Sequence, residues 1–194
     1  MTKGNSDCKL ELCQSTKSQL LVIDVQDRLC ASMPQDCLEL AFSNINRLSL
    51  AAQALDIPII ATEQYPKGLG QTREDVTNAL PDGISFCEKT SFSCCSASGF
   101  ENNLADKADR PQIILAGLES HICVLQTAAG LQHWGYRVFV VSDGVCSRSP
   151  QNRENALHRM RQGGIVVTNT ESVVFEWLGN AEHEKFREIS KLFR

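Results

Sequence analysis

The chain has 194 residues, an apolar fraction of 42% and a formal net charge of -4. That length suits one sizeable core, and the composition is that of a soluble globular protein. The acidic balance argues against nucleic acid, which takes a clustered basic surface, and no apolar run approaches the ~20 residues of a membrane span.

Residues 1–17 are polar and without period, which predicts a loose N-terminal arm ahead of a single domain over 18–194. The arm lacks the apolar segment of a secretory signal, and it is not Arg-rich, which weakens a mitochondrial address. Nine cysteines, at 8, 13, 30, 37, 87, 94, 95, 123 and 146, form an odd set with no C-x-x-C pair. Free thiols in a reducing compartment follow, with a cytoplasmic location.

Leu20-Leu21-Val22-Ile23 reads as a first strand: a continuous apolar run ended by a polar residue, Asp24, as in buried parallel strands. Apolar residues at helical spacing predict a helix over 36–55. Residues 57–61 are a second strand, with Pro58 at its start. Thr62 to Gly70 is a loop by its Pro and Gly content, and 72–80 a short helix. A brief third strand, 85–89, ends in Lys89. A polar connection covers 91–98, and a helix 99–109. The fourth strand is 112–116. A fifth, 138–141, ends in Ser142-Asp143-Gly144. A helix over 151–161, a sixth strand over 165–167 and helices over 171–178 and 182–192 complete the chain. Strands alternating with helices mean a three-layer α/β/α sandwich with a six-stranded, mainly parallel sheet of Rossmann-like topology.

After the fourth strand the chain reads Gly117-Leu118-Glu119-Ser120-His121-Ile122-Cys123-Val124. Val124, Leu125, Ala128 and Leu131 then share one helix face, and Gly135 stops that helix near Trp134. Cys123 therefore lies in a first helical turn at the C-terminal sheet edge, where open α/β sheets bind ligands. The partial positive charge of a helix N-terminus favours thiolate, so Cys123 is a candidate nucleophile. The bland alternative is a small buried apolar residue.

Asp24, Lys89 and Cys123 end or follow three different strands and can meet at that edge. A neighbouring ammonium would favour the thiolate, and a carboxylate could take the thiol proton and return it to a leaving group. Alternatively, Asp24 and Lys89 form an ion pair that only caps strand ends. A His–Cys dyad is poorly supported. His121 lies two residues from Cys123, on a different helix face. His133, His158 and His183 fall near a helix end or in surface-like patterns.

The chain resembles the isochorismatase-like cysteine hydrolases over about residues 18–180. The resemblance rests on Leu21-Val22-Ile23-Asp24-Val25-Gln26, Lys89, the segment from Gly117 to Val124, and the Ser142-Asp143-Gly144 turn. Thr62-Glu63-Gln64-Tyr65-Pro66-Lys67-Gly68-Leu69-Gly70 is more similar still to the isochorismatase-domain-containing subgroup. The resemblance implies an Asp24-Lys89-Cys123 triad and a cis Leu118–Glu119 peptide. The backbone amides of Glu119 and Cys123 would then form an oxyanion hole. It also implies a homo-oligomer, to which the apolar segment Val173-Val174-Phe175-Glu176-Trp177-Leu178 would contribute. Nicotinamidases of this family carry an Asp-x-His pair and a further histidine after strand two. Here that region reads Thr62-Glu63-Gln64-Tyr65, so no metal or other cofactor is expected. Isochorismatase itself lacks a cysteine at this turn, so Cys123 favours amide, carbamoyl or ester chemistry.

The expected function is metal-independent hydrolysis of a small-molecule C–N bond through a cysteine thioester. Gln26, Gln64, Tyr65 and Phe92 are candidate substrate-binding residues, because they sit on loops of the same edge. Two other readings stand beside it. One is a binding or scaffold protein with little turnover. The other is a thiol redox protein, with Cys30, Cys94 or Cys95 as the resolving thiol for Cys123.

Overall fold

Six strands form one sheet in the order β3-β2-β1-β4-β5-β6, and every neighbouring pair is parallel. They are β1 (Ser18–Ile23), β2 (Ile59–Gln64), β3 (Phe86–Lys89), β4 (Gln112–Leu118), β5 (Arg137–Cys146) and β6 (Val166–Thr168). This is a computed structural model, and it describes residues 10–194. Among the described residues the helices are α1 (Asp27–Cys30), α2 (Gln35–Ala54), α3 (Pro66–Leu69), α4 (Glu74–Thr77), α5 (Leu125–His133), α6 (Pro150–Gln162), α7 (Thr170–Leu178) and α8 (Phe186–Ile189).

The strand pleat sends alternate residues to opposite faces. Leu20 and Val22 of β1 therefore join one core, with Ile45 and Leu48 of α2 and Val173 and Trp177 of α7. Leu21 and Ile23 join the other, with Ala128 and Leu131 of α5 and Leu157 and Met160 of α6. β1 and β4 are buried along their whole length, as continuous apolar strands covered on both faces must be. The strand order reverses between β1 and β4, and the crevice beyond their C-terminal ends is where such sheets take ligands. Asp24 follows β1 there, and the Cys123 turn follows β4.

The expected six-stranded α/β/α sheet is present, and it is parallel at every pairing. Several individual elements are revised. Of the N-terminal arm, residues 1–9 lie outside the described residues. Residues 10–17 are docked rather than loose: Cys13 is buried, its N–H donates to Glu176 Oε2 at 2.7 Å, and the Gln14 N–H donates to Gln112 Oε1 at 2.8 Å. Thr62, Glu63 and Gln64 belong to β2 rather than to a loop, and all three are buried.

The helix expected over 99–109 is a single 3-10 turn, Phe100–Asn103. Asn103 Nδ2 bonds back to the Gly99 carbonyl at 3.2 Å, and Asp106 Oδ1 accepts from the Ala108 N–H at 2.9 Å. Such local bonds compete with helix formation. The last helix is likewise short: α8 followed by a 3-10 turn, Ser190–Phe193.

Ser142-Asp143-Gly144 does not end β5. It lies in a register irregularity inside that strand, between the Leu115/Val140 and Gly117/Val145 pairs. Asp143 Oδ1 accepts from the N–H and hydroxyl of Thr170, both at 2.9 Å, and so ties β5 to the start of α7. The apolar segment 173–178 serves the subunit's own core: Val173, Val174, Trp177 and Leu178 are buried, and Phe175 packs on Phe186 and Phe193. It is therefore not the association surface expected of it. Among the described residues, no helix is long and apolar enough to cross a membrane.

Candidate active site

At the end of β1, Asp24 takes a left-handed backbone, φ +51°. Asp is among the few residues that tolerate this region. Its carboxylate is fully buried and collects donors. Thr62 Oγ1 donates to Oδ1 at 2.7 Å, and Lys89 Nζ donates to Oδ2 at 2.6 Å. The Asp24 and Lys89 charges both act on the Cys123 thiol. Lys89 Nζ donates further to Gln64 Oε1 at 2.8 Å. The structure thus brings Asp24, Lys89 and Cys123 together, with both ionised side chains out of water.

Cys123 sits in a π-turn, Ser120–Val124, ahead of α5. The N–H groups of Ile122 and Val124 both donate to the Glu119 carbonyl, at 3.0 and 3.2 Å. The Leu118–Glu119 peptide is cis. Burial pushes the Cys123 thiol well above its ordinary pKa, and the Asp24 charge adds to this, while Lys89 pulls the other way. The expected lowering of the thiol pKa by Lys89 is therefore outweighed: burial and the Asp24 charge together favour the protonated thiol. Among the described residues the thiol shifted the other way is Cys37, lowered to about 6 by its neighbour Cys146 and by the Arg153 charge.

The tail of β5 clamps this turn. The Cys146 carbonyl accepts from Ser120 Oγ at 3.0 Å, and Ser147 Oγ meets His121 Nδ1 at 3.0 Å. The Arg148 N–H donates to Glu119 Oε2 at 3.0 Å. Arg148 adds a forked pair, Nη2 to Oε1 at 2.6 Å and Nε to Oε2 at 3.0 Å. Burial works against the Glu119 carboxylate, but these bonds outweigh it and hold its carboxyl below the usual range. The other ring nitrogen of His121 faces Asn152 Nδ2 at 3.3 Å, so both nitrogens are engaged away from Cys123.

A cavity of about 90 Å³ opens beside the thiol, lined by Leu29, Gln64, Leu69, Phe92, Glu119, Ile122, Cys123 and Arg148. Of the four expected pocket residues, Gln64 and Phe92 line it. Gln26 does not. It is fully buried, and its carboxamide is spent on the Gln64 backbone and on the Gly70 carbonyl, bonds of 2.6–3.0 Å that hold the following loop. Tyr65 is half exposed and lines a second depression, with Lys67, Glu88 and Lys89. Leu29, Leu69, Ile122 and Arg148 went unrecognised. α1 and α3 bring in the two leucines, and neither four-residue helix has a readable period. Of the proposed resolving thiols, Cys94 shares the Cys123 core, while Cys30 belongs to the core on the opposite sheet face. Among the described residues, no group of three or more His, Cys, Asp or Glu is arranged to hold a metal.

Residues 18–172 match the Isochorismatase domain family model. Isochorismatase domain-containing protein 2 of Danio rerio is 40% identical over 179 residues, covering 92% of this chain and 88% of that one. The structure of MAR1 ribonuclease from Caenorhabditis elegans superposes with a TM-score of 0.86 at 35% identity, covering 94% of this chain and 92% of that one. The YcaC gene product of Escherichia coli, described as an octameric hydrolase of unknown specificity, has a TM-score of 0.84. Its identity is 22%, over 99% of this chain and 91% of that one, and the likeness is one of fold alone. With its sheet order and its matched span of 155 residues from β1 into α7, the chain belongs to the isochorismatase family and carries that family's hydrolase fold.

Proposed function

We propose that this protein hydrolyses a small amide or carbamoyl C–N bond through a thioester on Cys123. The observation that carries the proposal is one buried group: Asp24 paired with Lys89 at 2.6 Å, both acting by charge on the Cys123 thiol, which lines a small cavity. The thiol is protonated at rest, so the proton passes to Asp24 as sulfur attacks the carbonyl carbon. Protonated Asp24 no longer neutralises Lys89, whose full charge then faces the new anion. The amides of Glu119 and Cys123 are the proposed donors to the carbonyl oxygen. Asp24 returns its proton to the departing nitrogen, the C–N bond breaks, and ammonia or an amine leaves. Water then attacks the thioester and Asp24 takes its proton; the C–S bond breaks, the acid leaves, and Asp24 returns the proton to sulfur to restore the thiol. The net reaction adds one water and uses no metal.

A cavity of about 90 Å³ is far below the ~300–1,000 Å³ of pockets for drug-sized ligands, which supports a substrate of few atoms. The worm relative's name would mean phosphodiester cleavage if carried to this chain. The cavity's one guanidinium is already paired with Glu119, which favours acyl chemistry on a small molecule. Small amides, ureas, carbamates and RNA belong in one screen against wild type and Cys123→Ala. We expect at least one C–N substrate to turn over in wild type and none in the variant. Turnover that survives Cys123→Ala would exclude the thioester route.

We also propose a homo-oligomer, on the precedent of the octameric bacterial fold relative. Light scattering is expected to give a multiple of 21.4 kDa. A monomer at micromolar concentration would count against it.

A further inference from the structure

We infer that the Glu119–Arg148 pair sets the charge of what reaches Cys123, so that the cavity takes uncharged, acetamide- or urea-sized molecules and turns ionised ones away. The inference rests on the hydrolase reading for its substrate, but its physical basis is separate. The ionised groups around the thiol form two closed pairs: Asp24 with Lys89 at 2.6 Å, and Glu119 with Arg148 at 2.6 Å. Leu29, Leu69, Phe92 and Ile122 supply apolar wall. An ion entering this space loses its hydration and meets no unopposed countercharge, which costs several kcal/mol in a buried site. A neutral amide brings only hydrogen-bonding groups and escapes that penalty.

Within this arrangement Glu119 determines specificity through its side chain. Its carboxylate is almost wholly buried and accepts from Arg148 at both oxygens, whereas the Arg148 side chain is half exposed. Glu119→Gln keeps the shape and the backbone amide but deletes the negative charge. Arg148 then stands as an unopposed cation at the cavity, and anions gain a partner.

Iodoacetamide and iodoacetate are close in size and differ in charge, so their relative rates with Cys123 read this selection without any turnover. Labelled peptides must be mapped, because Cys37 is the more acidic thiol. Rates are compared at one pH and normalised to the same ratio for a free thiol. We expect wild type to disfavour iodoacetate at least tenfold beyond the free-thiol ratio. Glu119→Gln should recover most of that factor. The double variant Glu119→Gln/Arg148→Gln, neutral again, should return to wild-type selection, which a mere change of packing would not do. A wild-type ratio equal to that of a free thiol, or a ratio unmoved by Glu119→Gln in folded protein, overturns the inference. Should Glu119→Gln not fold, the wild-type ratio and that of the double variant decide. Selection for iodoacetamide without hydrolysis of any amide would leave this inference standing and remove the hydrolase reading. Cys123-dependent hydrolysis of an anionic amide such as oxamate by wild type, at the rate of its neutral analogue, would do the reverse.

Discussion

Asp24→Asn and Lys89→Met are expected to move the Cys123 thiol in opposite directions while both suppress turnover. Burial raises this thiol first, the Asp24 charge raises it further, and Lys89 opposes them. Deleting the carboxylate charge should therefore ease ionisation, and deleting the ammonium should hinder it. Charges within about 4–6 Å move pKa values by roughly 1–3 units. Below the pKa, each unit changes the thiolate fraction tenfold. At a fixed pH near 8, iodoacetamide should label Cys123 about tenfold faster or more in Asp24→Asn, and about tenfold slower or more in Lys89→Met. Turnover should fall in Asp24→Asn by about 10²–10⁴-fold, the usual worth of a positioned general base. Lys89→Met also strands a carboxylate with no exposure, which costs about 3–5 kcal/mol when a buried pair is broken. Its loss of stability should thus accompany its slower labelling. A strand-end ion pair without chemical role would give the same stability loss but identical Cys123 labelling in all three proteins, and that result would sink the triad.

Gly117→Ala is expected to remove more stability than a methyl added to any other glycine among the described residues. Gly117 sits on β4 at φ +122°, and an added Cβ would lie 2.1 Å from the Ile23 carbonyl oxygen and 2.6 Å from the Ile23 nitrogen. Both atoms are backbone of β1, in the middle of the sheet, and no flexible side chain can yield. Relief must come from parting the β1–β4 ladder just before Asp24 and the Cys123 turn. A strained backbone conformation alone costs about 1–3 kcal/mol, and forced overpacking adds a similar amount. Urea denaturation should show a loss of at least about 3 kcal/mol. Gly83→Ala is the control, since its φ is also positive, +72°, but nothing lies within 4 Å of the added atom. Equal losses in the two variants would mean that the close approach to Ile23 carries no weight.

The fold class could be read from the sequence because parallel strands buried on both faces are continuous apolar runs, as in β1 and β4. That Asp24, Lys89 and Cys123 would meet was legible for a related reason: Asp24 follows β1, Lys89 ends β3, and Cys123 lies on the turn after β4, all at one sheet edge. What escaped was decided by hydrogen bonds across long sequence separations. Gln26 looked like a loop residue free to meet a ligand, yet Gln64 and Gly70 consume its carboxamide. Arg148 carried no signal, because its partner Glu119 lies 29 positions away on another element. The ionisation of Cys123 was misjudged because helix position is visible in a sequence, whereas the depth of burial beside Asp24 is not.

The reversal of strand order between β1 and β4 also governs when a nascent chain could become active. The amino-terminal half builds β1, β2 and β3 and already contains Asp24 and Lys89. The carboxy-terminal half builds β4, β5 and β6 and supplies Cys123 and Arg148. The halves join along the β1–β4 ladder, from Ser18 beside Gln112 to Ile23 beside Gly117. Pairing of such distant segments is the slow, late kind of contact. A ribosome-bound chain that has emerged only through residue 111 holds the proposed acid–base pair without the proposed nucleophile. If the proposed triad carries the activity, competence arrives with synthesis of the second half and closure of that seam, and a truncated or half-folded product is expected to be inert rather than partly active.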